Sequence, residues 1–149
     1  MKTLASVLAC LLIMASTAAA DLTPAPVVTA GFAAYKKDGA EAGVRAWAAG
    51  GPMEKNPDAI IFIARRIRGI EELYGPYRTF RVVKVLPVSD TCQMAYVQAD
   101  FENGPLFMKF LLFKPANDWR VIYMKFHTEI ERIWPHTQYG PVTDTAAAE

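Results

Sequence analysis

Residues 80–126, FRVVKVLPVSDTCQMAYVQADFENGPLFMKFLLFKPANDWRVIYMKF, decide the fold of this chain. Their apolar residues fall into four runs, which are Phe80–Leu86, Cys92–Phe101, Leu106–Lys114 and Trp119–Phe126. The connections between the runs are short and contain Pro, Asn, Asp and Gly, which favour turns. Because a parallel return needs a long crossover, neighbouring runs must pair antiparallel. The stretch predicts a four-stranded antiparallel meander.

The last two runs are apolar on both faces of this predicted sheet. In the third run, alternation places Phe107, Leu111 and Phe113 on one face and Leu106, Met108, Phe110 and Leu112 on the other. In the fourth run it groups Ile122, Met124 and Phe126 against Val121, Tyr123, Lys125 and His127. A sheet with one wet face would alternate apolar and polar residues instead. We therefore expect the chain's own helices on one face and a second copy of the sheet on the other, which makes a homodimer.

Three helices are predicted ahead of the meander. The first begins at Thr23-Pro24, an N-cap followed by a proline in the first turn, and runs to about Lys37. The second covers 40–49, before a Gly-Gly-Pro break. The third opens at Asn56-Pro57 and ends at Gly75. Apolar residues recur along it at three-to-four spacing, which predicts one buried stripe formed by Ile60, Ile63, Ile67, Ile70 and Tyr74.

The N-terminus has the pattern of a secretory signal. Lys2 precedes an apolar run over 4–14, and three alanines at 18–20 stand before Asp21. We expect cleavage there and a periplasmic or secreted location. Cys10 suggests a lipoprotein signal as an alternative, but the apolar run continues past it. The predicted organisation is a signal peptide at 1–20, one domain at 21–135 and a disordered tail at 136–149.

Charge and cysteine content exclude several classes of function. Removing residues 1–20 takes away one lysine and no acid, which leaves fifteen basic and fifteen acidic residues. Nucleic acids and anionic membrane surfaces attract a positive field, so a neutral domain is not expected to bind either partner. Cys92 would be the single cysteine, which allows neither an internal disulfide nor a cysteine-based metal site. No cofactor is expected, and no stable membrane insertion after cleavage.

The order of elements resembles the nuclear transport factor 2-like superfamily, also described as SnoaL-like or cystatin-type cone proteins. The residues that carry the resemblance are Phe32–Gly39, Leu73-Tyr74-Gly75, Trp119–Tyr123 and Phe126 through Trp134-Pro135. The last segment is similar to small exported members that have no assigned activity. The resemblance implies an α+β cone with helices on the concave face of a curved meander, a pocket between the layers, and dimers through the sheet.

Three residues are candidates for catalysis. His127 is the one imidazole predicted on a strand, and imidazole is the usual general base. Asp100 shares a strand face with Tyr96, and enzymes of the resembled superfamily often pair a carboxylate with a tyrosine beside a carbonyl. His127 lies at a strand end and Asp100 near a hairpin tip, positions that favour solvent-exposed roles for both. His136, far from His127 along the chain, gives no metal-site pattern.

Two further groups of residues offer binding chemistry. Arg65, Arg66 and Arg68 match the geometry of an anionic ligand, although arginines interleaved with glutamates on a helix are usually its solvated face. An apolar pocket, or alternatively a filled core, is predicted from Tyr96, Phe107, Phe110, Met124 and Phe126. From these residues we expect a non-catalytic binding or accessory domain with a small apolar ligand. The alternative is a small isomerase or dehydratase-like enzyme.

Overall fold

A computed structural model describes residues 23–134, and the predicted signal at 1–20 and tail at 136–149 lie outside them. The α+β class is confirmed: three helices precede a curved, open antiparallel sheet with strand order β1-β2-β3-β4. The elements are α1 Pro26–Asp38, α2 Ala40–Ala48, a 3₁₀ helix Pro52–Lys55, α3 Pro57–Tyr74, β1 Tyr77–Ser89, β2 Cys92–Phe101, β3 Pro105–Phe113, β4 Arg120–His127 and a 3₁₀ turn Ile130–Arg132.

Proline sets the start of two helices. The first helix begins at Pro26, two residues later than the sequence predicted. Ala25 has φ −53° and ψ 142°, outside the helical region, because a proline ring clashes with a helical residue before it. For the third helix the prediction is confirmed, since the side chain of Asn56 accepts a hydrogen bond from the backbone nitrogen of Ala59 at 3.0 Å. This bond satisfies one of the helix's unpaired N–H groups.

The helices cover one face of the sheet through a cluster of aromatic rings. The ring of Phe32 in α1 lies 4.9 Å from Trp47 of α2 and 4.3 Å from Phe80 of β1, centroid to centroid. Trp47 in turn lies 5.5 Å from Phe110 of β3. Such ring pairs contribute about 0.5–1.5 kcal/mol each beyond the burial of their area. The cluster therefore attaches α1 and α2 to both halves of the sheet.

A close approach between α1 and α2 depends on Gly31. The indole of Trp47 lies directly over this glycine, in the space that a β-carbon would occupy. The indole nitrogen donates a hydrogen bond to the carbonyl of Val28 at 3.0 Å. A side chain at position 31 would push the indole away from both the bond and the ring cluster.

A bulge in β4 changes which of its residues face the helices. Leu112 pairs with Val121 and Leu111 pairs with Tyr123, so Ile122 is the extra residue. Val121 therefore joins Met124 on the helix side, and Ile122 is exposed. The grouping of Ile122 with Met124 that simple alternation predicted is wrong, because alternation assumes an unbroken ladder.

The chain itself covers part of the other face of the sheet, which we call the outer face. After β4 the segment 128–134 returns across it, and the ring of Trp134 lies 4.6 Å from that of Tyr96. Tyr96 and Ile133 are buried there, each 3% exposed. The ammonium of Lys84 lies 5.9 Å from the Trp134 ring centroid. Around Tyr96, the segment 128–134 of the same chain covers the outer face, where the sequence predicted a second copy.

Two glycine-to-alanine substitutions should have opposite effects on stability. Alanine in place of a helical glycine stabilises by about 0.5–1 kcal/mol when nothing clashes. Gly69 in α3 has open space around its α-carbon, so G69A should raise the free energy of unfolding by that amount. G31A should lower it by about 1–3 kcal/mol, because its methyl group meets the Trp47 indole. Urea unfolding of the three proteins measures both changes, and a stabilised G31A would contradict the close approach.

Candidate functional site

An apolar hollow lies between the free edge of the sheet and the third helix. Its volume is about 200 Å³, and its lining residues are Met53, Ile63, Val121, Ile122, Tyr123 and Met124. The β4 bulge turns Ile122 out of the core, and the 3₁₀ helix that carries Met53 follows the Gly50-Gly51-Pro52 break. Apart from the phenol of Tyr123, the lining side chains are not titratable. We call this space the central hollow.

Two further hollows continue along β4 in both directions. The one at the start of the strand is open and about 690 Å³, with a lining that includes Lys55, Arg120 and Ile122. The one at the strand's end is about 310 Å³ and is lined by Arg66, Ile70, Leu73, Phe126, His127 and Thr128. Ile122 lines both the central hollow and the hollow at the start of β4. We call the three together the β4 groove.

Arg66 of α3 contributes a cationic end to the groove. Its guanidinium carbon lies 5.1 Å from the ring centroid of Phe126 and 5.9 Å from that of Phe62. Phe62 is 60% exposed, and cations over aromatic faces are attracted by the ring quadrupole. Of the three arginines predicted as an anion clamp, Arg65 and Arg68 line a separate surface hollow with Gly69 and Glu72. The arginines are therefore divided between two places on the helix.

The five residues predicted to bind a ligand are also divided. Tyr96 lies on the outer face beneath Trp134, and Phe107 follows the same alternation. Phe110 is fully buried in the ring cluster between the sheet and the helices. Met124 lines the central hollow, and Phe126 lines the hollow beside it. The structure thus brings only Met124 and Phe126 into one groove, and ligand binding at the five positions stays a prediction.

The carboxylate of Asp100 lies on the outer face and accepts hydrogen bonds from two neighbouring side chains. It accepts a hydrogen bond from Arg81 Nε at 2.8 Å and from Gln98 Nε2 at 2.6 Å, one on each oxygen. A second guanidinium nitrogen of Arg81 lies 2.7 Å away. Burial, with the Asp100 carboxylate as a second cause, raises the pKa of Tyr77 to about 12. Both carboxylate oxygens are therefore occupied by side chains of the sheet itself.

His127 ends β4 and shapes the turn that follows. Its Nδ1 atom accepts a hydrogen bond from the backbone nitrogen of Glu129 at 2.9 Å. A hydrogen bond from Arg132 to the Glu129 carboxylate, 2.6 Å long, holds the pKa of Glu129 below its usual range. These bonds form the first turn of the segment that crosses the outer face. The imidazole thus has a structural partner at the rim of the groove.

A polar contact near the C-terminal end of α3 involves Glu71. The hydroxyl of Tyr35 donates to Glu71 Oε2 at 3.0 Å, and the backbone nitrogen of Tyr77 donates to Glu71 Oε1 at 3.4 Å. Burial, followed by the charge of the Glu71 carboxylate, raises the pKa of Tyr35 above its ordinary range. The contact joins α1, α3 and β1. Its function is to hold these elements together, since no hollow of the β4 groove includes any of the three residues.

Sequence patterns did not indicate Met53 or Ile63 as site residues. Met53 follows a Gly-Gly-Pro break that predicted only the end of a helix, and Ile63 belongs to the buried stripe of α3. One signal was present: Ile61 and Phe62 are large apolar residues outside that stripe, and both are exposed. Exposed apolar residues beside a sheet edge are typical of a contact surface.

Residues 23–134 contain no group of three or more His, Cys, Asp and Glu side chains that could hold a metal ion. None of the helices in this part of the chain is long and apolar enough to cross a membrane.

No family model, curated protein or solved structure matches this chain. The resemblance to the nuclear transport factor 2-like superfamily therefore stays a prediction. The fold and the groove define a class in structural terms alone: an α+β protein with an open, curved sheet and an apolar groove along its last strand.

Stability should fall above about pH 10, where tyrosines ionise in the unfolded chain. Because the pKa values of Tyr35 and Tyr77 are raised in the folded state, unfolding releases protons in this pH range. The contribution of the two tyrosines to the free energy of unfolding is therefore complete below pH 10. For Tyr77 it is lost as the pH rises to about 12. Urea unfolding at pH 9 and 11 measures the decline. The decline should be smaller in Y35F than in the unsubstituted protein, and equal declines would show that Tyr35 ionises freely in the fold.

Proposed function

We propose that this protein is a non-catalytic binding module that holds an apolar group in the central hollow. The observation that supports this proposal is the lining of the hollow, which consists of aliphatic and methionine side chains with one phenol. Binding sites are typically concave and mostly apolar, with few polar groups. Methionine, here Met53 and Met124, adapts its flexible side chain to ligands of different shape. The volume of about 200 Å³ suits one large side chain or one small ring.

An isomerase or dehydratase has less support from the same geometry. A general base must reach the proton it removes within hydrogen-bond distance. The Asp100 carboxylate is held by Arg81 and Gln98, and none of the three hollows of the groove includes it. His127 borders the far hollow, where Nδ1 is bonded to the Glu129 backbone. The central hollow thus contains neither candidate.

Export and pairing belong to the same proposal. Export to the periplasm or the medium is supported by the sequence of residues 1–20. A homodimer through the outer face is supported by the apolar β3 residues that the segment 128–134 leaves partly open, among them Leu111 and Phe113, the latter 40% exposed. The superfamily resemblance implies pairing through the same face.

A small apolar probe should bind in the central hollow. Apolar cavities of about 150 Å³ bind benzene, so toluene is a suitable probe. We expect toluene to shift the backbone amide resonances of Ile63 and of residues 121–124 in a saturable manner. I63W should fill the hollow and weaken this binding at least about tenfold, or about 1.4 kcal/mol.

The matched control is I61W. Ile61 lies on the same helix, is 38% exposed and does not line the hollow, so the control adds the same bulk outside the site. Toluene binding that is equal in I63W and I61W, or shifts spread evenly over the protein, would contradict the proposed site.

Sedimentation velocity tests the pairing. The full-length mature protein should sediment as a dimer at micromolar concentration, and L111K should sediment as a monomer because two lysines would face each other across the two-fold axis. A thermal melt of L111K shows whether its fold is intact. An unsubstituted protein that is monomeric throughout the micromolar range would rule out the dimer.

A further inference from the structure

The two edges of the sheet differ in how they are protected. The edge strand β1 has three irregularities in its pairing and contains Pro87, features that natural sheets use to prevent further pairing. The edge strand β4 has one irregularity, at Ile122, and no proline. Within residues 23–134, no backbone hydrogen bond is made to the side of β4 that faces away from β3. Gly51 packs against the backbone carbonyl of Val121, and from Tyr123 to its end the β4 edge is open to another strand.

Apolar side chains surround that open edge. On β4 itself Ile122 is 40% and Tyr123 50% exposed, and the exposed ring of Phe62 in α3 lies 5.9 Å from the guanidinium carbon of Arg66, which lines the hollow at the end of β4. The central hollow is lined by residues 121–124, so it lies beside the bulge and the first residues of the regular part of the strand, which runs from Tyr123 to its end. A strand added to an edge places every second side chain on the same face. One such side chain would enter the central hollow, and its neighbour on that face would reach the hollow beside Phe126.

The charges around the groove are positive. Lys55 and Arg120 line the hollow at the start of β4, Arg66 lines the one at its end, and Lys125 is exposed between them. Considering residues 23–134 only, none of these four side chains has a carboxylate within 4.0 Å. The one acid in the groove lining, Glu54, accepts a hydrogen bond from the backbone of Gly50. An occupant with carboxylates would complement this surface.

The same charges disfavour a second copy of this chain at the β4 edge. A two-fold axis between Ile122 and Tyr123 would pair the strand with itself in antiparallel orientation. Arg120 and Lys125 of one copy would then lie close to Lys125 and Arg120 of the other. Like charges directly opposite each other in a sheet are destabilising. The second copy is therefore expected at the outer face, which leaves the groove for a different partner.

We propose that the β4 groove binds an extended segment of another protein as a fifth strand of the sheet, with apolar residues alternating with acidic ones. The apolar side chains of the segment enter the central hollow and the hollow beside Phe126, and its acidic side chains, on the opposite face of the added strand, lie beside Lys125 and Arg120. This inference rests on the proposed function, because it uses the same central hollow and names the kind of ligand that fills it.

Three blocked seven-residue peptides test the proposal by titration calorimetry against the full-length mature protein. In the first, glutamate alternates with valine and leucine; in the second, lysine replaces each glutamate; in the third, proline replaces the central residue. The first should bind, and binding should weaken as salt is raised. The lysine and proline peptides should each bind at least about tenfold more weakly, because one loses the charge complement and the other a backbone donor.

Variants of the protein test the position of the peptide. K125E should weaken binding of the glutamate peptide several-fold and improve binding of the lysine peptide. The matched control is K36E, which makes the same charge change at an exposed position in the last turn of α1 and should leave both affinities unchanged. Isotope-edited spectra should place the peptide's backbone next to β4.

The outcomes separate this inference from the proposed function. Toluene binding in the hollow without binding of the glutamate peptide would overturn the fifth-strand proposal and leave the binding module standing. Equal affinity for the proline and glutamate peptides would also overturn it, since no strand pairing would be involved. A dimer that dissociates in K125E but persists in L111K would instead assign the groove to a second copy.

Discussion

The contact of Trp47 with Gly31 is the constraint on which the rest of the structure depends. With no side chain at position 31, the indole can lie over α1, donate to the carbonyl of Val28 and still contact Phe32 and Phe110. That single ring therefore joins two helices to the middle of the sheet. Because interiors are packed as densely as organic crystals, a shift of the indole would move everything that packs against it.

The position of the groove follows from how the helices cover the sheet. The first two helices occupy the centre of its inner face, and the third lies beside its last strand, with Arg66 in contact with Phe126. One extra residue in β4, Ile122, interrupts the ladder there and leaves space beside Met124. An edge strand, a bulge and a neighbouring helix are enough to form an apolar groove without any cavity in the core. The groove is thus a consequence of an open sheet, which a closed barrel would not have.

Much of the fold could be predicted from local patterns, and the errors have both local and distant causes. Asn56-Pro57 marked the start of α3 correctly because a cap acts within one turn of its own residue. The start of α1 was predicted two residues too early, because either of two closely spaced prolines, Pro24 and Pro26, could occupy the first turn. The strands were recognised from their apolar runs, but the bulge at Ile122 was not, because register depends on the partner strand. A second copy was predicted to cover the outer face, yet the cover over Tyr96 of β2 comes from Trp134.

The candidate site shows the same division between local and distant causes. Of the five residues predicted to line a pocket, Phe110 belongs to the core, and Tyr96 and Phe107 belong to the outer face. By itself the sequence determined the helices, the four strands, their antiparallel order and the two apolar faces, because caps, turns and periodicity act over a few residues. Only the tertiary structure decided that Met53, Ile63 and Met124 meet beside an open strand. Those residues lie far apart along the chain, and their meeting depends on how α3 packs against the sheet, which no local pattern specifies.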